Sequence, residues 1–254
     1  MLFEKIKIND TSTLNSLIFE EKNTFNNPRP AILICPGGGY NHVSPREGDT
    51  IALHFMNLGY QAFVLNYTVM PTDKYGALRE ASEAMCIIRD NAEKWSVDPD
   101  KIAICGFSAG GHLAGSLGTM WDRDFLGAGA KNKPNAMILC YPVISSDETI
   151  WHSGSFKNLM GEASDYSEMS LDLNVSSATP PTFLWHTIED TSVPVENTLR
   201  FANALQKNKI PFEMHIYPQG PHGLSLAPEY PHVATWIELA KEWIMIQFGD
   251  YRFR

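Results

Sequence analysis

No stretch of the 254-residue chain is apolar for long enough to span a bilayer. The N-terminus, Met1-Leu2-Phe3-Glu4-Lys5-Ile6-Lys7-Ile8, alternates apolar and charged residues instead of building the apolar core of a signal peptide, so no membrane partner and a cytoplasmic location are expected. Basic charge is scarce as well: 20 Lys+Arg stand against 29 Asp+Glu, a formal charge of −9, and the basic residues are scattered. That excludes the electrostatic footprint of a nucleic-acid or anionic-membrane binder. There are only four cysteines, Cys35, Cys86, Cys105 and Cys140. They fall inside apolar runs, no pair has metal-ligand spacing, and none has the positive neighbours that lower a thiol pKa, so reduced core thiols are expected and a metal site is not. Internal repeats and low-complexity tracts are also missing, which leaves one globular domain over 1–254.

What is present alternates. Residues 2–8 and 14–19 alternate apolar and polar side chains, as an antiparallel hairpin or two edge strands would. After a turn-rich stretch over 23–30 the apolar runs become continuous: 31–35, 61–65, 102–105, 136–140, 182–186 and 212–216. Runs of this kind are strands buried on both faces of a parallel sheet. Helices are expected between them at 50–58, 76–95, 109–120, 195–208 and 231–248, the first with Asp49 as N-cap and Gly59 as its stop. The sum is an α/β chain with a mostly parallel, doubly wound sheet of about eight strands and ligands at the C-terminal strand ends. One segment, 142–181, breaks the alternation. It carries Trp151, His152, Phe156, Leu159, Met160, Tyr166 and Met169, enough apolar surface to fold over a site as a lid-like insertion, against the alternative of a plain surface excursion.

Directly after the run at 102–105 comes Gly106-Phe107-Ser108-Ala109-Gly110. A serine on a sharp strand-to-helix turn exposes its hydroxyl, and glycine on both flanks lets the two elements approach. Such a hydroxyl is a poor nucleophile until a base takes its proton, and the base works best when a carboxylate orients it. The run ending at His186 is followed by Thr187-Ile188-Glu189-Asp190, and the run ending at Ile216 by Tyr217-Pro218-Gln219-Gly220-Pro221-His222-Gly223. Ser108, Asp190 and His222 thus follow strand ends in the order serine, acid, histidine. Glu189 remains an alternative acid, Asp190 could serve only as a helix cap, and His186 and His215, inside strands, read as packed or hydrogen-bonded structural histidines. Cys35-Pro36-Gly37-Gly38-Gly39-Tyr40 follows the first parallel strand, where glycine N–H groups can turn toward developing negative charge; Gly38, Gly39 and Ala109 are the candidate donors. A phosphate cradle is excluded by the missing Lys-Ser/Thr. Tyr40, Ser44, Arg46, Glu47 and Tyr67 fall near this loop as candidate binders of a polar alcohol or sugar moiety, with an Arg-Glu surface pair and packed aromatics as the alternative.

These motifs, with Ser44-Pro45-Arg46-Glu47-Gly48, Asn66-Tyr67, Gly111-His112-Leu113-Ala114 and Val193-Pro194-Val195-Glu196-Asn197, resemble the α/β-hydrolase superfamily over residues 30–245, and more closely its small acetylxylan-esterase-like and hormone-sensitive-lipase-like esterases. The resemblance implies a serine carboxylic ester hydrolase without cofactor or metal, acting on short acyl esters of sugars or small alcohols, xylo-oligosaccharides among them. It implies Ser108 as nucleophile, Asp190 as acid, His222 as base, and Gly38, Gly39 and Ala109 as oxyanion donors. Pro36 departs from the pattern, since the hormone-sensitive-lipase-like motif has histidine there. Two other readings stay open: a serine peptidase, because prolyl-peptidase catalytic domains share this strand order and triad, and a non-catalytic ligand receptor on the same fold.

Overall fold

The structure, a computed structural model, describes residues 1–20, 28–71 and 73–249. Its centre is an eight-stranded sheet of β1 (Leu2–Lys7), β2 (Thr13–Ile18), β3 (Arg29–Cys35), β4 (Gln61–Asn66), β5 (Val97–Phe107), β6 (Ala136–Cys140), β7 (Thr182–Thr187) and β8 (Phe212–Tyr217), in the order β1-β2-β4-β3-β5-β6-β7-β8. β1 pairs antiparallel with β2, and β2 antiparallel with β4; every other neighbour is parallel. The central strands β3 and β6 and the second half of β5, from Ile102, are the continuous apolar runs, buried on both faces, whereas edge strand β1 alternates half-buried and exposed residues.

Helices cover both faces. α2 (Gly76–Asp90), α3 (Ala109–Met120) and α6 (Glu196–Lys207) share one apolar core with the insertion; α1 (Asp49–Asn57) and α7 (Trp236–Gln247) share the other. Gly48 caps α1 and Asp49 is already its first helical residue, so the expected aspartate cap is one position out. α2 ends five residues before the expected boundary of 95 because turns take over from Asn91, and α7 begins at Trp236, after a short 3₁₀ turn, instead of at 231. The turn-rich stretch expected over 23–30 falls mostly outside the described residues.

The insertion contains α4 (Ser153–Met160) and α5 (Leu171–Asn174). Phe156, Leu159, Met169 and Leu171 bury into the core beside α3, so the segment is a packed part of the molecule and not a loose excursion. Asn197 of α6 fastens its start: its buried amide oxygen accepts from the N–H of Ile144 and of Ser145, both at 3.0 Å. Among the described residues no helix is long and apolar enough to cross a membrane.

Candidate active site

The C-terminal ends of β3, β5, β7 and β8 converge on Ser108. This serine links β5 to α3 with φ 54° and ψ −119°, a conformation an L-residue adopts only where its surroundings enforce it. Enforcement comes from packing: a Cβ on Gly106 would stand 2.1 Å from the Gly110 carbonyl oxygen, and one on Gly110 would stand 2.0 Å from that of Cys35. Only glycine at both places lets strand, helix and the loop after β3 meet so closely. The serine's own backbone is fixed on both sides, its N–H donating to Cys140 O (3.0 Å) and its carbonyl accepting from His112 N (3.0 Å) and Val143 N (3.1 Å).

Ser108 Oγ lies 2.7 Å from His222 Nε2, and His222 Nδ1 lies 2.6 Å from Asp190 Oδ2. Asp190 is 4% exposed and Ser108 7%. Glu189, the alternative acid, is exposed and accepts from the N–H of Gly220 (2.9 Å) instead of facing the imidazole. Burial by itself would raise the Asp190 carboxyl. Hydrogen bonds from His186 and His222, the charge of His222 and the N–H of Val193 outweigh it and hold the group well below the usual carboxylate range. His186, expected as a structural histidine, is that and more. Its Nε2–H must donate, since it faces Val193 O at 2.9 Å, and it also reaches Asp190 Oδ2 at 3.2 Å, while Nδ1 accepts from Thr198 Oγ1 at 2.8 Å. The Asp190 carboxylate is therefore held by two imidazoles and by the N–H groups of Ser192 (3.0 Å) and Val193 (2.9 Å).

The glycine loop is fastened almost everywhere except at its candidate donors. Gly37 N–H donates to Glu47 Oε2 (2.9 Å), the Pro36 carbonyl accepts from Tyr67 OH (2.7 Å), and the Gly39 carbonyl accepts from Asn158 Nδ2 (2.9 Å). Among the described residues nothing accepts from the N–H of Gly38, Gly39 or Ala109. Ala109 also opens α3, so the positive end of that helix points at the serine. With Pro36 where the resembled motif has histidine, Tyr67 and Glu47 hold the loop from outside it.

The candidate binders separate accordingly. Ser44, Arg46 and Glu47 line the cleft beside Ser108 and His222. Tyr40 and Tyr67 do not: they are buried, and their hydroxyls are used internally, Tyr40 OH donating to His112 Nδ1 (2.8 Å) while His112 Nε2–H donates to Met169 O (2.8 Å). Burial keeps both phenols neutral. Nor do Arg46 and Glu47 form a surface pair. Arg46 donates to Gly223 O (3.0 Å), next to His222, while Glu47, 3% exposed, accepts from Tyr141 OH (2.6 Å). The Tyr141 hydroxyl in turn accepts from Ser225 N (2.9 Å), and its ring packs edge-on to His222 at 5.1 Å. One buried carboxylate therefore ties the glycine loop to the histidine loop.

Sequence reasoning missed this role of Glu47, the bond from His186 to Asp190, and the cleft residues Asn41, His42, Asn158 and Ser192, while His152, named in the segment expected to fold over a site, lines the cleft. In one sequence the only signal for Glu47 is an acid between Arg46 and Gly48, which reads equally well as a surface pair. The thiols of Cys35, Cys86 and Cys140 are all pushed up, first of all by burial, which removes thiolate chemistry from consideration at these positions.

A model of the prolyl oligopeptidase family matches residues 77–249. Endo-1,4-beta-xylanase B of Butyrivibrio fibrisolvens is 41% identical over 211 residues, covering 78% of this chain and 33% of that protein. Acetylxylan esterase of Xylanibacter ruminicola is 30% identical over 223 residues, covering 84% of this chain and 45% of that protein. The chain thus spans between a third and just under half of these relatives. Over full lengths it superposes on an acetyl ester-xyloside bifunctional hydrolase from Caldicellulosiruptor lactoaceticus with TM-score 0.87 and 38% identity, covering 97% of both chains. The strand order, the serine turn and these likenesses agree, and the chain belongs to the prolyl oligopeptidase family of α/β hydrolases.

Proposed function

We propose that the protein is a serine carboxylic ester hydrolase that removes short acyl groups, acetyl above all, from sugars such as xylo-oligosaccharides. The observation that carries this is the unbroken chain of contacts from Ser108 Oγ to His222 Nε2 (2.7 Å) and from His222 Nδ1 to Asp190 Oδ2 (2.6 Å), beside backbone N–H groups that no described residue engages. Ser108 Oγ attacks the acyl carbon while His222 Nε2 takes its proton, and Asp190 stabilises the imidazolium. The N–H groups of Gly38, Gly39 and Ala109 receive the oxyanion. His222 then protonates the leaving alcohol oxygen, and water, deprotonated by the same nitrogen, releases the acid from Ser108.

The substrate class draws on the cleft, about 500 Å³ in volume, whose described lining is polar and glycine-rich and contains no large aliphatic side chain to receive a fatty chain. It also draws on the names of the similar proteins, an acetylxylan esterase and an acetyl ester-xyloside hydrolase. The four free cysteines fit a reducing compartment, the cytoplasm.

The test is turnover of p-nitrophenyl acetate, butyrate and octanoate and of acetylated xylose by wild type and Ser108→Ala. Activity falling steeply with acyl length, and falling by about 10⁴-fold or more in the variant, is expected. A variant that keeps most of its turnover would sink the assignment of Ser108. The family match favours a second reading, a peptidase; peptide p-nitroanilides turned over faster than every ester would select it.

A further inference from the structure

His152 lines the same cleft as His222 but belongs to the insertion, where it is the N-cap of α4. The tautomer of its ring follows from its partners. Nδ1 accepts from the backbone N–H of Ser155 (3.1 Å), and a backbone N–H can only donate, so Nδ1 carries no proton and the neutral ring holds its proton on Nε2. Burial, and after it the charge of His222, pushes its pKa down against the pull of Asp190, so the ring is neutral near pH 7. Among the described residues nothing bonds to Nε2, and the half-buried ring stands against the glycine loop, its Cε1 3.8 Å from where a Cβ on Gly39 would be. Asn158, from the same helix, grips the Gly39 carbonyl at 2.9 Å. The result is an oriented N–H donor without an acceptor, at the rim of the candidate oxyanion loop.

We infer that His152 is a specificity-determining residue whose Nε2–H donates to a ring or hydroxyl oxygen of an acetylated sugar, next to the ester that Ser108 attacks. This rests on the ester-hydrolase reading above. An acetyl group offers one acceptor of its own, the carbonyl oxygen, and the backbone donors receive it. The acceptor for His152 therefore belongs to the alcohol part, and a sugar supplies one on the carbon next to the ester-bearing one, three bonds from the ester oxygen. A p-nitrophenyl ring does not, since its oxygens lie at the far end.

The capping and donating roles are separated by two variants. His152→Asn keeps an acceptor for Ser155 N–H, asparagine being a favoured N-cap, but its amide is too short to reach where Nε2 stands. His152→Gln keeps a donor of the right reach. The quantity read is the ratio of kcat/KM for an acetylated methyl xyloside to that for p-nitrophenyl acetate. The ratio is expected to fall about tenfold in His152→Asn, the worth of one ordinary hydrogen bond, with the melting temperature held, and to recover to within about threefold of wild type in His152→Gln. A ratio unchanged in His152→Asn, or equally low in both variants, overturns the inference. A wild-type enzyme that hydrolyses p-nitrophenyl acetate but no xyloside acetate overturns the sugar reading first, and this inference with it.

Discussion

Replacing Gly110 by alanine tests whether close backbone packing builds the serine turn. The added Cβ would stand 2.0 Å from Cys35 O and 2.3 Å from Pro36 O, where ordinary contact begins at 3.4 Å. Both obstacles are backbone, so no side chain can swing aside; the start of α3 and the loop after β3 must part by about 1 Å or more. Parting them would shift Ser108 relative to Gly38 and Gly39, the candidate oxyanion donors on that loop. A misplacement of this size costs about 10²-fold in rate, and overpacking costs about 1–3 kcal/mol of stability. For a chain of this size that is about 2–12 °C in Tm. The assay is kcat/KM for p-nitrophenyl acetate alongside a thermal melt. Gly76→Ala is the control, because there the nearest atom, Pro71 Cβ, is already at 3.4 Å. A folded Gly110→Ala protein with wild-type turnover would refute the packing argument.

Three further outcomes are expected. Glu47→Gln leaves an amide oxygen that can accept from Gly37 N–H or Tyr141 OH but not both; one stranded donor, about 2 kcal/mol, lowers Tm by about 4–8 °C and kcat with it, as calorimetry and steady-state kinetics will show. His112, buried between Tyr40 and Met169, has its pKa pushed down by burial from 6.5 to about 4. Its unfolded form binds the proton more readily, so its contribution is complete above pH 6.5 and is lost as the pH falls to about 4, amounting to ~3 kcal/mol; His112→Gln should flatten the slope of Tm across that window. His186→Phe removes one donor from Asp190 Oδ2, which concentrates the carboxylate's charge on His222. The acid limb of the kcat/KM profile should move to higher pH, and a limb that stays in place counts against the bond.

The sheet was legible because its central strands are buried on both faces and so are spelled as plain apolar runs. Boundaries were not. β5 begins at Val97, yet Asp98, Pro99 and Asp100 mask its first half, and α2 stops at Asp90 although Trp95 continues the apolar spacing beyond it. Ser108, Asp190 and His222 could be named as candidates because each follows a strand end in the order serine, acid, histidine, Ser108 and His222 among glycines and prolines, though that rule alone leaves Glu189 beside Asp190 open. The supports obey no such rule. Glu47 meets Gly37 and Tyr141 only through the fold, and the tyrosine hydroxyls of Tyr40 and Tyr67 are the same letters whether they face a substrate or a buried acceptor. Proximity in sequence to the glycine loop put them in the binding group; the burial of their rings takes them out.

The insertion has one more consequence, for the kinetic cycle. Val143 at its start is bonded to the carbonyl of Ser108, Asn158 in its middle to Gly39, and Met169 near its end to His112 behind Ser108. Swinging it aside would disturb the serine, the glycine loop and the helix together. In the proposed reaction, a wall moored at three points around Ser108 and the glycine loop would stand and not swing, so that reactant and product would pass through a standing mouth.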